Sequence, residues 1–155
     1  MPDEIENAAQ RAFAQQAELI FLALTVWREA RGESEQCQTA VAYSILNRVS
    51  RPSWWGSDIL SVVTKRLQYS SMTYQRDPQL TTWPLASDPS WRQCLDVAAG
   101  AIHGIDRNPT PGADSYYDIS ISAPKWAAPE CFVGQVGRIR FYNTDHDHDD
   151  EGAVS

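Results

Sequence analysis

Glu29 has the surroundings best suited to acid–base chemistry in this sequence. It follows the mostly apolar stretch 19–27, and Leu22, Val26 and Glu29 are spaced so that they share one helical face. A carboxylate in a last helical turn meets the negative end of the helix dipole, and apolar neighbours desolvate it. Both effects favour the protonated form. We therefore predict a raised pKa for Glu29 and a role as general acid; the alternative is an ion pair with Arg28, Arg31 or another arginine.

A protonated glutamate in an aromatic-lined cleft can give its proton to the leaving oxygen of a glycosidic bond. Aromatic rings suit sugar binding because they stack on the apolar face of a pyranose. The alternative for any of them is ordinary packing in the core or at its rim. The candidates are Tyr69, Tyr74, Trp83, Tyr116, Tyr117 and Trp126.

Metal and nucleophile chemistry are less well supported. His146 and His148 flank Asp147, but this acidic run lacks the rigid elements that usually carry zinc ligands, so we predict neither a metal nor another cofactor. His103 is expected at a helix C-terminus, where its side chain interacts favourably with the negative end of the helix dipole. The three cysteines form no CxxC pair, and no nucleophile elbow, phosphate-binding loop or dinucleotide motif occurs.

The composition is that of one globular domain. The chain has 155 residues, of which 43% are hydrophobic, and no apolar run reaches the ~20 residues that a membrane span needs. Its net charge of −7 is concentrated in the run 145–151, so the body is nearly neutral and nucleic-acid binding is disfavoured. We predict a monomeric domain over residues 1–143 and an acidic, disordered tail over 144–155.

The local patterns predict an α+β fold that is mostly helical, with a small late β-sheet. Helices are expected over about 3–31, over 34–50 with Ser34 as N-cap, after Ser57, and from Asp88 to Gly104. The stretch 123–127 suggests one helical turn. The long irregular stretch 73–87 is typical of a cleft wall. Strands are expected over 115–119, 132–133 and 138–142.

Several motifs, in order, resemble the SleB-type cell-wall hydrolases, a family of spore cortex-lytic enzymes and related phage endolysins. The opening block is Trp27-Arg28-Glu29-Ala30-Arg31-Gly32-Glu33 with the stretch 38–49. Gln68-Tyr69-Ser70 resembles the family's Gln-Phe-Ser segment. The pair Tyr116-Tyr117, the run Pro124-Lys125-Trp126-Ala127 and the closing Phe141-Tyr142 complete a similarity over about residues 19–143.

This resemblance implies a lysozyme-like fold and cleavage of the MurNAc–GlcNAc bond in peptidoglycan glycan strands, with Glu29 as catalytic acid. It favours a lytic transglycosylase, in which the sugar's own 6-hydroxyl attacks and one glutamate serves as acid and then base. Substrate contacts are expected from Gln68, Tyr69, Ser70, Tyr116, Tyr117, Asp118 and Trp126. Glu33 is expected to play a supporting role.

Two positions depart from the family pattern. Ile139 stands where members commonly have histidine, and Asp118 follows the tyrosine pair where Asn or His is common. Three alternatives stay open. The first is a hydrolytic muramidase that uses Asp118, Asp114 or Asp88 as its second carboxylate. The others are a metal-dependent amidase and a wall-binding module that does not cut.

The acidic N-terminus differs from a signal peptide. By analogy with phage endolysins, we expect synthesis in the cytoplasm and action in the periplasm or cell wall of a host bacterium after membrane permeabilisation.

Overall fold

The computed structural model describes residues 1–51 and 54–145 and has the predicted α+β architecture. The helices are α1 (Pro2–Ala30), α2 (Glu35–Val49), α3 (Ile59–Val63), α4 (Ser70–Thr73) and α5 (Pro89–Ile102), with 3-10 turns at Pro78–Thr81 and Pro129–Cys131. The strands are β1 (Ser115–Asp118), β2 (Phe132–Val136) and β3 (Ile139–Tyr142). No described helix is both long and apolar enough to cross a membrane.

Helix α1 is the axis of the domain. Its first turns are exposed, whereas from Leu22 to Arg28 it is buried, with Leu22, Ala23 and Val26 fully inaccessible. This half is enclosed because apolar residues occupy all its sides. Burial therefore continues up to the turn that carries Glu29.

Helices α2 and α5 pack against this buried half. Ser34 caps α2 by accepting from the Cys37 backbone N–H, and Asp88 caps α5 by accepting from Ser90, as the sequence predicts. Ile45 of α2 and Val97 of α5 belong to the same core cluster as Val26. Helices α2 and α5 therefore enclose the C-terminal half of α1 in one hydrophobic core.

The three strands form an antiparallel sheet in the order β1-β3-β2. Tyr116 pairs with Phe141, and Tyr117 pairs with Arg140, so the two tyrosines project to opposite faces. Phe141 is fully buried in the core. The β2–β3 turn uses Gly137 at a φ of +57°, a left-handed conformation that favours glycine.

Two local predictions are wrong. Asp58, not Ser57, caps α3, because its carboxylate accepts from the Ser61 N–H. Residues 123–127 contain a turn but no helix, since the helical turn lies at Pro129–Cys131. Ser70–Thr73 also forms a short helix, α4, that no sequence pattern indicates. Helix α1 ends at Ala30, within one residue of the predicted end, and its C-cap Arg31 is right-handed.

The chain remains packed two residues past the predicted domain end at 143. Thr144 is buried and its N–H and hydroxyl donate to the Asp114 carboxylate. Asp145 accepts hydrogen bonds from the Trp55 indole and the Arg51 guanidinium. The rest of the predicted tail, with His146 and His148, lies outside the described residues.

Candidate active site

Glu29 lies where two adjoining cavities meet. One has a volume of about 300 Å³ and the other about 500 Å³, and Glu29, Leu67 and Gln68 line both. The first continues along Arg48, Trp54, Trp55, Tyr69, Ser115, Tyr116, Trp126 and Thr144. The second continues along Arg66, Ser70, Thr73 and Tyr74. Glu29 therefore lies at the junction of the two cavities, which together form the groove of the site.

Tyr116 holds the Glu29 carboxyl group. Its hydroxyl donates a hydrogen bond of 2.7 Å to Oε1 of Glu29. The Tyr116 ring packs against Phe141 with centroids 5.7 Å apart, so the buried face of the sheet fixes the donor. This contact joins the end of α1 to β1.

Burial raises the pKa of Glu29 above its usual range, as the sequence predicts. The hydroxyls of Tyr116 and Ser71 act in the opposite direction because they favour the carboxylate, and the negative charge of Asp77 adds a further rise. The alternative of an ion pair is not supported: Arg28 and Arg31 bind other groups, and the ion pairs seen among the described residues do not include Glu29.

Arg28 fastens the wall of the groove to α1. Its Nε donates to the Thr82 carbonyl at 3.2 Å and its Nη1 to the Ser71 carbonyl at 3.1 Å. The guanidinium also lies 4.6 Å from the ring centre of Trp83. Because Arg28 is buried, these bonds tie the predicted cleft wall to the residue before Glu29. From sequence, Arg28 is expected only as an ion-pair partner of Glu29.

Arg48 contacts several of the residues that line the first cavity. Its guanidinium lies 4.0 Å from the ring centre of Trp55 and 4.9 Å from that of Tyr69. Its Nε donates to the Asp114 carbonyl and its Nη1 to Oε1 of Gln68. Gln68 is thus oriented from α2, a relationship that the spacing of residues in sequence could not reveal.

The negative charge of Asp77 acts on Glu29. Asp77 is not among the site residues predicted from sequence. Its Oδ1 caps the 3-10 turn through the Gln79 N–H, and its Oδ2 accepts the Ser70 hydroxyl at 2.6 Å. The Asp77-Pro78 pair is a cap signal of the same kind as Asp88-Pro89. That signal could have located Asp77 in sequence.

The three carboxylates considered as partners of Glu29 are engaged elsewhere. Asp88 caps α5, and Asp114 is buried and accepts from Thr144 and Ser115. Asp118 accepts from the Ser120 N–H and from Arg138, which lower its pKa. None of the three lines the groove. The structure therefore does not bring Asp118 to Glu29.

The remaining predicted site residues divide into two groups. Gln68, Tyr69, Ser70, Tyr116 and Trp126 line the groove, although Tyr69 is only 3% exposed. Tyr117 lies on the opposite face of the sheet, where it contacts Trp126 and Tyr142. Glu33 lies beside the β2–β3 turn, with Oε2 near Gly137. Tyr117 and Glu33 do not line the groove.

The described residues contain no group of three or more His, Cys, Asp or Glu side chains arranged to hold a metal ion. The prediction about His146 and His148 falls outside them.

Comparison with known families matches residues 32–142 to the cell wall hydrolases, so the chain belongs to that family. The SleB-type resemblance seen in the motifs is thereby confirmed. Glu29 lies three residues before the matched range. No curated protein matches the sequence.

Two solved structures share the fold. The catalytic domain of the germination-specific lytic transglycosylase SleB from Bacillus anthracis has a TM-score of 0.65 and 24% identity, covering 82% of this chain and 94% of that one. The catalytic domain of SleB from Bacillus cereus has a TM-score of 0.64 and 25% identity, covering 82% and 90%. The lysozyme-like prediction is confirmed at the level of fold.

Proposed function

We propose that this cell wall hydrolase cleaves the MurNAc–GlcNAc bond of peptidoglycan as a lytic transglycosylase, with Glu29 as its acid and base. The observation that carries the proposal is that Glu29 is the single carboxyl group among the described residues lining the two cavities. A hydrolase of either stereochemistry usually places a second carboxylate on the other side of the scissile bond. A transglycosylase has no such requirement.

In the first step Glu29 is the acid. Tyr116 occupies Oε1, so the transferable proton is assigned to Oε2. Oε2 gives this proton to the glycosidic oxygen as the bond from C1 of MurNAc to that oxygen breaks, and the GlcNAc side leaves as an alcohol. Burial keeps this proton on Glu29 at pH values where an exposed glutamate has lost it.

In the second step Glu29 is the base. Its carboxylate takes the proton of the MurNAc 6-hydroxyl while O6 bonds to C1, which closes a 1,6-anhydro ring. The proton returns to Oε2, so the enzyme is regenerated and no water is consumed. The Tyr116 and Ser71 hydroxyls stabilise the carboxylate between the two steps.

The glycan strand is positioned by the groove walls. Gln68, Ser70 and Tyr74 offer polar groups in the second cavity, and Trp126 offers an aromatic ring in the first. Tyr117 is proposed to act on substrate only through Trp126. The two rings pack edge to face, with their centroids 6.2 Å apart. Asp118 and Glu33 have no part in this arrangement.

Mass spectrometry of muropeptides, digested in water labelled with ¹⁸O, tests the proposal. A transglycosylase yields unlabelled 1,6-anhydroMurNAc ends. Labelled reducing ends would establish the hydrolytic muramidase instead. Stem peptides released with a free N-terminal amine, together with inhibition by EDTA, would indicate an amidase. Binding to sacculi without any product would indicate a wall-binding module.

We also propose that the enzyme serves lysis of a host bacterium from within, by analogy with phage endolysins of the family. Cells that express it should stay intact until the inner membrane is permeabilised and then lyse. Lysis on expression alone would contradict this role.

A further inference from the structure

Two hydroxyl groups beside Glu29 are buried without a hydrogen-bond partner among the described residues. They belong to Tyr69, which precedes α4, and to Ser71 within it. A buried hydroxyl that lacks a partner costs folding free energy, and most proteins avoid it. Ser71 acts on the Glu29 carboxyl group and Tyr69 lines a cavity with it, which gives a reason for this cost.

Two hydroxyls act on the Glu29 carboxyl group, and a third, that of Tyr69, belongs to a residue of the same cavity. Tyr116 already donates to Oε1, and Ser71 lies near enough to favour the carboxylate without reaching hydrogen-bond geometry. Tyr69 lines the same cavity as Glu29 and Tyr116 and interacts electrostatically with both. They come from two parts of the chain, β1 and the segment around α4, that approach Glu29 from different directions.

We propose that Tyr69 is a positioning residue for Glu29: its hydroxyl is unpaired while Glu29 is protonated and donates a hydrogen bond to the carboxylate once the proton has left. Donors already in place in a dry site stabilise a developing charge without a large rearrangement. This inference rests on the proposed function of Glu29.

The charges around Tyr69 are consistent with a permanent donor. Burial raises its pKa to about 12, so the hydroxyl keeps its proton throughout the working pH range. The Arg48 guanidinium lies 4.9 Å from its ring centre and holds the ring in place. The ionisable groups that act on Tyr69 or Glu29 from the surrounding elements are Arg48, Asp77, Asp114 and Tyr116. All of them remain in the Tyr69→Phe variant, which removes one oxygen atom.

The direct test is the titration of Glu29 followed by carbon NMR of its carboxyl group, assigned by its absence in Glu29→Gln. We expect Tyr69→Phe to raise the titration midpoint by about one pH unit, because the carboxylate loses a donor. The melting temperature should hold or rise, because an unpaired buried hydroxyl is removed. An unchanged midpoint, with or without a loss of stability, would overturn the proposal.

Tyr43→Phe is the matched control. The Tyr43 hydroxyl also bonds within the protein, to the Asp106 carbonyl, but it lies outside the groove. This variant should lower the melting temperature and leave the Glu29 midpoint unchanged. A midpoint shift as large as in Tyr69→Phe would show that the effect is not specific to Tyr69 and would overturn the inference.

The pH dependence of peptidoglycan cleavage supplies a second readout. In Tyr69→Phe, the fall in activity at high pH should move up by about one pH unit, while the maximal rate drops up to about tenfold. A lower rate with an unmoved profile would mean a merely structural role and would overturn the proposal. The NMR titration does not depend on which bond is cut, so failure of this inference is distinguishable from failure of the proposed function.

Discussion

The hydroxyl of Tyr116 lies 2.7 Å from Oε1 of Glu29, joining residues that are 87 positions apart in the chain. One partner ends the buried half of α1, and the other belongs to the first strand of a sheet whose inner face is part of the core. The Glu29 carboxyl group is therefore held between a core helix and the sheet. Under the proposed function, this arrangement orients Glu29 and leaves its second oxygen for substrate.

Replacing Tyr116 by phenylalanine should weaken this control. The Tyr116 hydroxyl lowers the pKa of Glu29, so its loss should raise that pKa and move the high-pH limb of activity upward. We expect the maximal rate to fall about tenfold or more, because a hydrogen bond to a charged group contributes ~1.5–3 kcal/mol. The measurement is a pH–rate profile on purified peptidoglycan. A profile that superimposes on that of the unmodified enzyme would contradict the role.

Stability should depend on pH through Glu29. Its pKa is raised in the folded protein, so folding favours the protonated form, and this contribution is complete below the unfolded-state value of about 4.3. It is lost as the pH rises toward the folded-state pKa. Glu29→Gln cannot ionise and should therefore melt roughly 2–4 °C above the unmodified protein at pH 8, the shift that about 1 kcal/mol gives in a domain of this size.

At pH 4 the two melting temperatures should nearly converge, because Glu29 is then mostly protonated in both states of the unmodified protein. Glu35→Gln is the matched control, since Glu35 is an exposed glutamate in the first turn of α2. A difference that stays constant from pH 4 to pH 8 would contradict the raised pKa. Melting curves in the two buffers decide the point.

Arg28 should control the order of the groove wall. Lysine cannot reproduce the planar fork that serves the Thr82 and Ser71 carbonyls, so Arg28→Lys should cost about 2 kcal/mol of unfolding free energy. Hydrogen exchange should accelerate over residues 70–83, and activity should fall. Arg11→Lys, at an exposed position of α1, is the control. Unchanged exchange over 70–83 would show that Arg28 does not fasten this wall.

The cysteines should be inert in the folded enzyme. All three are buried, and burial raises the pKa of Cys37 to about 12 and that of Cys94 to about 11. Because the thiolate is the reactive form, a thiol-specific reagent at pH 8 should label the protein only after denaturation. Fast labelling of the native protein at any cysteine would contradict this expectation.

Much of the arrangement of helices and strands could be predicted from sequence, because it depends on local periodicity and capping residues. The buried half of α1, the Ser34 and Asp88 caps and the late strands all follow from periodicity and capping residues. The raised pKa of Glu29 was predicted for a valid reason, since desolvation is its largest cause. The short helix α4 was missed because four residues are too few to show a period.

The side chains that complete the site could not be predicted, because they depend on contacts between distant segments. Arg48 reaches Gln68 and Asp114 from another helix, and Asp77 acts on Glu29 through the fold. Asp118 was considered because it follows the tyrosine pair, but its carboxylate instead caps a turn and meets Arg138. Adjacency in the chain did not determine where it lies.

The lysis of purified peptidoglycan by Glu29→Gln tests the central claim most directly, since glutamine keeps the shape of the side chain and cannot transfer a proton. We expect turbidity to stay constant while the circular dichroism spectrum matches that of the unmodified protein. A folded variant that clears peptidoglycan at close to the original rate would contradict the assignment of Glu29 as acid and base.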